Sequence, residues 1–93
     1  MEIGDHCLIG PNVSIVGNNY NYDQIKVPLE EQGIVSKGIK IGRNVWLGAG
    51  VSVLDGAVIG DNTIITPNSV VSSKIPSGTI ASGIPAKVIF KRR

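Results

Sequence analysis

The sequence predicts an all-β protein in which one chain coils around a single axis in short parallel strands. Three observations indicate this fold: large aliphatic residues recur every six positions, glycine or polar turn pairs separate them, and helix-forming residues are scarce. Hydrophobic residues, chiefly Ile and Val, make up 42% of the chain, and 12 glycines and 5 prolines accompany them. Glycine and proline are unfavourable inside helices. The length of 93 residues allows one small domain.

Nine aliphatic residues define the repeat. A period of six is not a helical period, and it is too regular for independent hairpins. In a coiled chain, each strand sends one large side chain inward, and a small or β-branched residue four positions later lets the chain turn. The aliphatic row consists of Ile3, Ile9 and Ile15, then Ile41, Leu47, Val53, Ile59, Ile65 and Val71, and the small row of Cys7, Val13, Val45, Val51, Ala57, Thr63 and Ser69.

The repeat is interrupted once. The step from Ile15 to Ile41 is not a multiple of six, so the intervening chain leaves the coil and returns to it. Long ordered loops commonly carry function. We therefore predict a single β-helix domain over residues 1–93, with the solenoid at about 3–16 and 41–76, a long excursion loop at about 17–38, and a C-terminal cap and basic tail at about 77–93.

Composition excludes several classes of site. A single cysteine, Cys7, rules out an intramolecular disulfide, and a single histidine, His6, rules out a zinc site built from several histidines of one chain. We therefore expect no metal. The net charge of +2 is too small to indicate nucleic acid, and no aromatic platform accompanies the basic tail. No apolar run could span a bilayer and no secretion signal is present, so we expect a cytoplasmic protein.

The narrow interior also bears on oligomeric state. A coil that is one side chain wide buries little apolar surface for each residue that it orders. The sequence therefore predicts self-association through a flat face of the solenoid, with closed cyclic symmetry.

Two motifs carry a resemblance to a known family. The register I-G-x-x-V-x, with WLGAG at 46–50 and ASGIPAKVI at 81–89, closely resembles the hexapeptide-repeat acyltransferases. Within them it is similar to the maltose/galactoside O-acetyltransferase group and related sugar O-acetyltransferases of polysaccharide biosynthesis. This resemblance implies a left-handed parallel β-helix with about 18 residues per triangular coil. It further implies a homotrimer with clefts between subunits, and direct transfer of an acetyl group from acetyl-CoA to a carbohydrate hydroxyl.

The resemblance also assigns candidate site residues. It implies coenzyme contacts at Ala49, Pro67, Ser72 and Lys87, and it places Trp46 in the wall of the cleft. The Ala49 amide would meet the thioester carbonyl, where an oxyanion develops, and Lys87 would meet a phosphate. At Pro67 the sequence departs from the family, because proline has no amide hydrogen to donate.

A second departure concerns the general base. The family histidine aligns with Tyr20, and a phenol with a pKa of about 10 is a poor base at neutral pH, whereas histidine at about 6.5 is well suited. Loss of a general base typically lowers the rate by about 10²–10⁴-fold. Two hypotheses stay open: an impaired O-acetyltransferase, and a catalytically silent structural or coenzyme-binding trimer. A metal-dependent branch resembling the γ-carbonic anhydrases would need several histidines, and His6 is a turn residue.

Overall fold

The computed structural model describes residues 1–17, 19–20, 34–35 and 37–92. Every regular element among these residues is a β-strand. Most strands are two or three residues long, as expected of a chain that turns every six residues. The strands are β1 (Glu2–Ile3), β2 (Leu8–Ile9), β3 (Ser14–Val16), β4 (Asn19–Tyr20), β5 (Ile34–Val35), β6 (Lys40–Ile41), β7 (Trp46–Leu47), β8 (Ser52–Leu54), β9 (Val58–Ile59), β10 (Ile64–Ile65), β11 (Val70–Val71), β12 (Lys74–Ile75), β13 (Thr79–Gly83) and β14 (Ala86–Lys91).

The coil has three flat faces, which the chain visits in turn. The first face contains β1, β6, β9 and β12, the second β2, β7, β10, β13 and β14, and the third β3, β8 and β11. All pairs within these faces are parallel except β13 with β14. A smaller antiparallel pair, β4 with β5, places Tyr20 opposite Ile34 at the base of the excursion.

The register shows how the coils stack. Leu47 pairs with Ile65, its equivalent three repeat units later, so one complete coil contains three six-residue units. Ile9 pairs with Leu47 across the excursion, so the coil that includes the excursion is longer than a regular one. Ile65 pairs with Ala81 rather than with Gly83, which lies one regular coil later, because the corner between the third and first faces is shorter in the last coil.

The predicted inward rows form the core. Ile41, Leu47, Val53, Ile59, Ile65 and Val71 are each at most 3% exposed, and Val45, Val51, Ala57, Thr63 and Ser69 at most 1%. The first coil differs, with Ile3 42% and Ile9 51% exposed. Among the described residues no further coil stacks on its outer side, so these two residues of the inward row are not buried as the others are.

Most corners of the described coils contain a residue with a positive φ angle. In the turn Thr66-Pro67-Asn68-Ser69, Asn68 has φ 63°, and the Ser69 amide donates to the Thr66 carbonyl at 3.4 Å. Proline followed by Asn or Gly suits a type II turn. In the part of the chain that the structure describes, five non-glycine residues adopt this backbone conformation, each in a corner: His6, Asn12, Asn44, Asn62 and Asn68.

Candidate functional site

A groove of about 470 Å³ lies at the corner between the second and third faces. Trp46 and Ile64 form one wall, from the outer side of the second face. The floor is built by the same corner in three successive coils, and the lining is completed by Gly10, Pro11, Gly48, Ala49, Ile65, Thr66 and Pro67. The groove is almost wholly apolar, as small-molecule sites commonly are.

At Gly10 and Gly48 the floor is bare backbone, because a side chain would not fit at these two positions. A Cβ at Gly10 would lie 2.8 Å from the Ala49 nitrogen, and a Cβ at Gly48 would lie 2.7 Å from the Pro67 nitrogen. Real Cβ atoms do not approach backbone nitrogen so closely. The glycine that follows many aliphatics of the repeat therefore allows the coils to stack at this distance.

Ala49 supplies a hydrogen-bond donor in this apolar groove. Its neighbours use their amides within the coil stack: Gly48 donates to the Ile65 carbonyl, and Gly50 donates to the Pro11 carbonyl, both at 2.9 Å. Among the described residues the Ala49 amide has no acceptor. The equivalent positions of the coils on either side are Pro11 and Pro67, which have no amide hydrogen. Of these three equivalent positions, only Ala49 has a backbone amide hydrogen that could be donated to a bound group.

An apolar column runs along the outer side of the second face. The strand register places Trp46 between Leu8 and Ile64, and it places Ile80 between Ile64 and Phe90. Leu8 is 66%, Trp46 51% and Phe90 63% exposed. On the first face the corresponding column is mainly charged, with Glu2, Lys40, Val58 and Lys74.

A cluster of polar groups adjoins the groove at its lining residue Thr66. The Thr66 hydroxyl donates to Ser82 Oγ at 2.6 Å and lies 2.9 Å from Ser69 Oγ, and the Gly83 amide donates to Ser69 Oγ at 3.1 Å. Ser82 pairs directly with Lys87 across β13 and β14. Because directly paired residues project to the same side of a sheet, Lys87 lies on the side of Ser82.

The structure brings together three of the residues proposed from the sequence, namely Trp46, Ala49 and Pro67. Ser72 and Lys87 do not line the groove. Ser72 follows β11 at a different corner, whereas exposed Lys87 lies in β14, opposite Ser82. Tyr20 is placed in β4, but its side chain lies outside the described residues.

No titratable side chain of the described residues lines the groove. The described residues also contain no cluster of three or more His, Cys, Asp or Glu side chains that could bind a metal. Sequence reasoning did not propose six of the lining residues as site residues: Gly10, Pro11, Gly48, Ile64, Ile65 and Thr66. Ile64 follows Trp46 by one coil, and Thr66 follows Gly48 by one coil. Counting three repeat units forward from Trp46 and Gly48 would therefore have identified them.

Two family models match the chain. The bacterial transferase hexapeptide (six repeats) matches residues 38–73, and the hexapeptide repeat of succinyl-transferase matches residues 2–18. The chain belongs to the hexapeptide-repeat acyltransferases. The two matched ranges end on either side of the excursion, which interrupts the repeat.

Curated relatives of this hexapeptide-repeat chain include sugar acetyltransferases. It is 40% identical over 92 residues to the galactoside O-acetyltransferase of Escherichia coli K12, covering 96% of this chain and 43% of that enzyme. It is 39% identical over 87 residues to the galactoside O-acetyltransferase of Lactococcus lactis, covering 92% of this chain and 41% of that enzyme. The chain therefore spans less than half the length of these relatives.

Two solved structures superpose on nearly the whole of this chain. A maltose O-acetyltransferase from Clostridium difficile 630 superposes with a TM-score of 0.87 at 42% identity, over 99% of this chain and 48% of that chain. A galactoside acetyltransferase in complex with coenzyme A gives 0.86 at 37% identity, over 98% and 44%. These likenesses confirm the predicted left-handed parallel β-helix. Among the described residues, no helix has the length and apolar character needed to cross a membrane.

Proposed function

We propose that the protein is an acetyl-CoA-dependent O-acetyltransferase that acts on a hydroxyl of a sugar or polysaccharide precursor. The observation that carries this proposal is the Ala49 amide, a donor without an acceptor among the described residues, in an apolar groove beside Trp46. Support comes from the galactoside and maltose O-acetyltransferases that share the fold.

The groove fits the acyl donor in shape and chemistry. Its volume of about 470 Å³ is in the range of small-molecule sites, and its apolar walls suit the thin pantetheine arm. The Ala49 N–H would donate to the thioester carbonyl and stabilise the negative charge that develops on that oxygen. Lys87, which is paired with Ser82 beside the polar cluster at Thr66, would meet a phosphate of the nucleotide.

The reaction is a direct acyl transfer. The acceptor hydroxyl oxygen attacks the thioester carbonyl carbon, and the carbon–sulfur bond then breaks. The hydroxyl loses its proton to a base, and coenzyme A leaves as the thiol. With Tyr20 at the position of the family histidine, deprotonation of the acceptor is weakly assisted, since an ordinary tyrosine is ionised in about one molecule in a thousand at pH 7.

We place the active site between copies of the chain, in a homotrimer. The column Leu8–Trp46–Ile64–Ile80–Phe90 leaves large apolar side chains in water beside the groove. Contiguous exposed apolar surface of this kind marks interaction sites. A neighbouring subunit against the second face would bury the column and close the open side of the groove.

Binding of the donor can be measured through Trp46, the single tryptophan of the chain. Titration with coenzyme A should change its fluorescence, and the protein should unfold at a higher temperature when the ligand is bound. Titration with glycine, which resembles neither the coenzyme nor a sugar acceptor, is the control and should change neither signal. If millimolar coenzyme A produces no fluorescence change, no heat of binding and no thermal stabilisation, the groove is not a coenzyme site.

A second candidate function is coenzyme binding without turnover. It is favoured by the groove lining, which offers no titratable side chain among the described residues, and by tyrosine at the position of the family base. The two functions are distinguished by thiol release from acetyl-CoA in the presence of a panel of sugars. Release that depends on a sugar would refute the silent alternative.

A further inference from the structure

Asp55 ties the returning end of the excursion to the coil. It lies in the corner after β8, and its carboxylate accepts two backbone amides. Lys37 N lies 2.8 Å from Oδ2 and 3.0 Å from Oδ1, and Gly38 N lies 2.9 Å from Oδ1. The Gly56 amide donates to the Gly38 carbonyl at 2.9 Å. The Asp55 side chain thus binds Lys37 and Gly38, the Gly56 backbone adds a second contact to Gly38, and hydrogen bonds to a charged carboxylate are the stronger kind.

These two residues stand at the point where the excursion ends. Gly38 is followed by β6, the first strand of the second coil, and Lys37 comes shortly after β5. β5 pairs with β4, which places Tyr20 opposite Ile34. Asp55 binds Lys37, which comes shortly after β5, and β5 pairs with β4, the strand that carries Tyr20.

A second aspartate makes a similar contact where no excursion follows. Asp61 Oδ1 accepts the Arg43 amide at 2.9 Å, and the two residues are separated by one regular coil, as Asp55 and Lys37 are. Both aspartates therefore stabilise the contact between equivalent corners of neighbouring coils. Asp61 holds a regular corner between the first and second faces, whereas the partners of Asp55 lie beside the β4–β5 pair.

We propose that Asp55 is a positioning residue for the acyl transfer. It fixes the backbone at Lys37 and Gly38, and through β5 it fixes the strand that carries Tyr20. The inference rests on the proposed function for its kinetic part only. Asp55 is not part of the groove lining, so its loss should affect the acceptor side of the reaction and leave donor binding unchanged.

The structural part is tested by amide hydrogen exchange in the full chain. In Asp55→Ala, amides of Lys37 and Gly38, and the protected amides of β4 and β5, should exchange about tenfold or more faster than in the wild type. The matched control Asp61→Ala should accelerate exchange at Arg43 and leave β4 and β5 unchanged. Asp55→Asn keeps one acceptor oxygen and should lie between wild type and Asp55→Ala; it also serves if the alanine variant does not fold.

The kinetic part uses the same variants. Asp55→Ala should lower kcat/KM for the sugar acceptor by about tenfold or more while the coenzyme A Kd stays within about twofold, with partial recovery in Asp55→Asn. An unchanged exchange rate in β4 and β5, or equal kinetic effects of Asp55→Ala and Asp61→Ala, would overturn the proposal. A wild type that neither binds coenzyme A nor releases thiol would overturn the proposed function, and the exchange data would still decide whether Asp55 positions β4 and β5.

Discussion

Gly48 and Pro67 lie against each other in neighbouring coils with no space for a side chain between them. A Cβ at Gly48 would stand 2.7 Å from the Pro67 nitrogen and 3.0 Å from the Ile65 carbonyl oxygen. The same two residues line the groove. The close contact between these two neighbouring coils therefore also forms part of the groove floor.

Replacing Gly48 with alanine should destabilise the protein. The added methyl group would meet backbone rather than a flexible side chain, so the coils must separate, at an expected cost of about 1–3 kcal/mol. Chemical denaturation measures this as a lower free energy of unfolding. Gly17→Ala is the control, because no atom of the described residues lies within 4 Å of a Cβ built there. Equal stability of the two variants would show that the coils do not need the glycine.

A charge in the apolar column should separate the subunits. Leu8 is 66% exposed in the single chain, so Leu8→Glu should leave its fold intact but would bury an unpaired carboxylate in the proposed trimer. Light scattering at micromolar concentration should then give the mass of one chain. Val58→Glu, on the first face, should keep the wild-type mass. A trimeric Leu8→Glu protein would exclude the second face as the interface.

Removal of the Lys87 charge should weaken binding of the nucleotide part of coenzyme A. Lys87→Ala is expected to raise the Kd for coenzyme A by about three- to tenfold at low salt, with a smaller effect at high salt because ions screen an exposed charge. Binding of pantetheine, which has no nucleotide, should not change. Lys74→Ala, on the first face, is the matched control, and an equal loss in both variants would remove Lys87 from the site.

Restoring a histidine should increase turnover. Tyr20→His is expected to raise the rate of sugar acetylation by about 100-fold or more. Because a base acts when deprotonated, the rate should rise with pH through about 6.5 and then level off, whereas a tyrosine base would give a rate that still rises above about pH 8. The pH–rate profile measures both. A wild-type rate equal to that of the variant would show that Tyr20 is not at the base position.

The sequence predicts the coil well because the coil is a local property. Six-residue spacing decides which side of a short strand each residue occupies, and Leu47, Val53 and Ile65 are buried as expected. The spacing does not show what covers each coil, so the exposure of Ile3 and Ile9 was not predictable from it.

The candidate site was partly predictable. Trp46, Ala49 and Pro67 lie together as the resemblance implied. Gly10 and Pro11 were missed because the excursion lengthens the first coil and hides their alignment with Gly48 and Ala49. The contact of Asp55 with Lys37 was also missed. It depends on where the returning chain enters the coil register, and the aliphatic pattern marks no residue between Ile15 and Ile41.

The antiparallel pairing of β13 with β14 makes β14 an edge strand, and this bears on aggregation. An unpaired strand edge can recruit the same edge of another molecule and begin a fibril. Among the described residues, β14 lies at one end of the second face, with Lys87 and Lys91 along it and Arg92 immediately after. Two such edges would bring cation against cation, which disfavours pairing of β14 with its copy in another molecule.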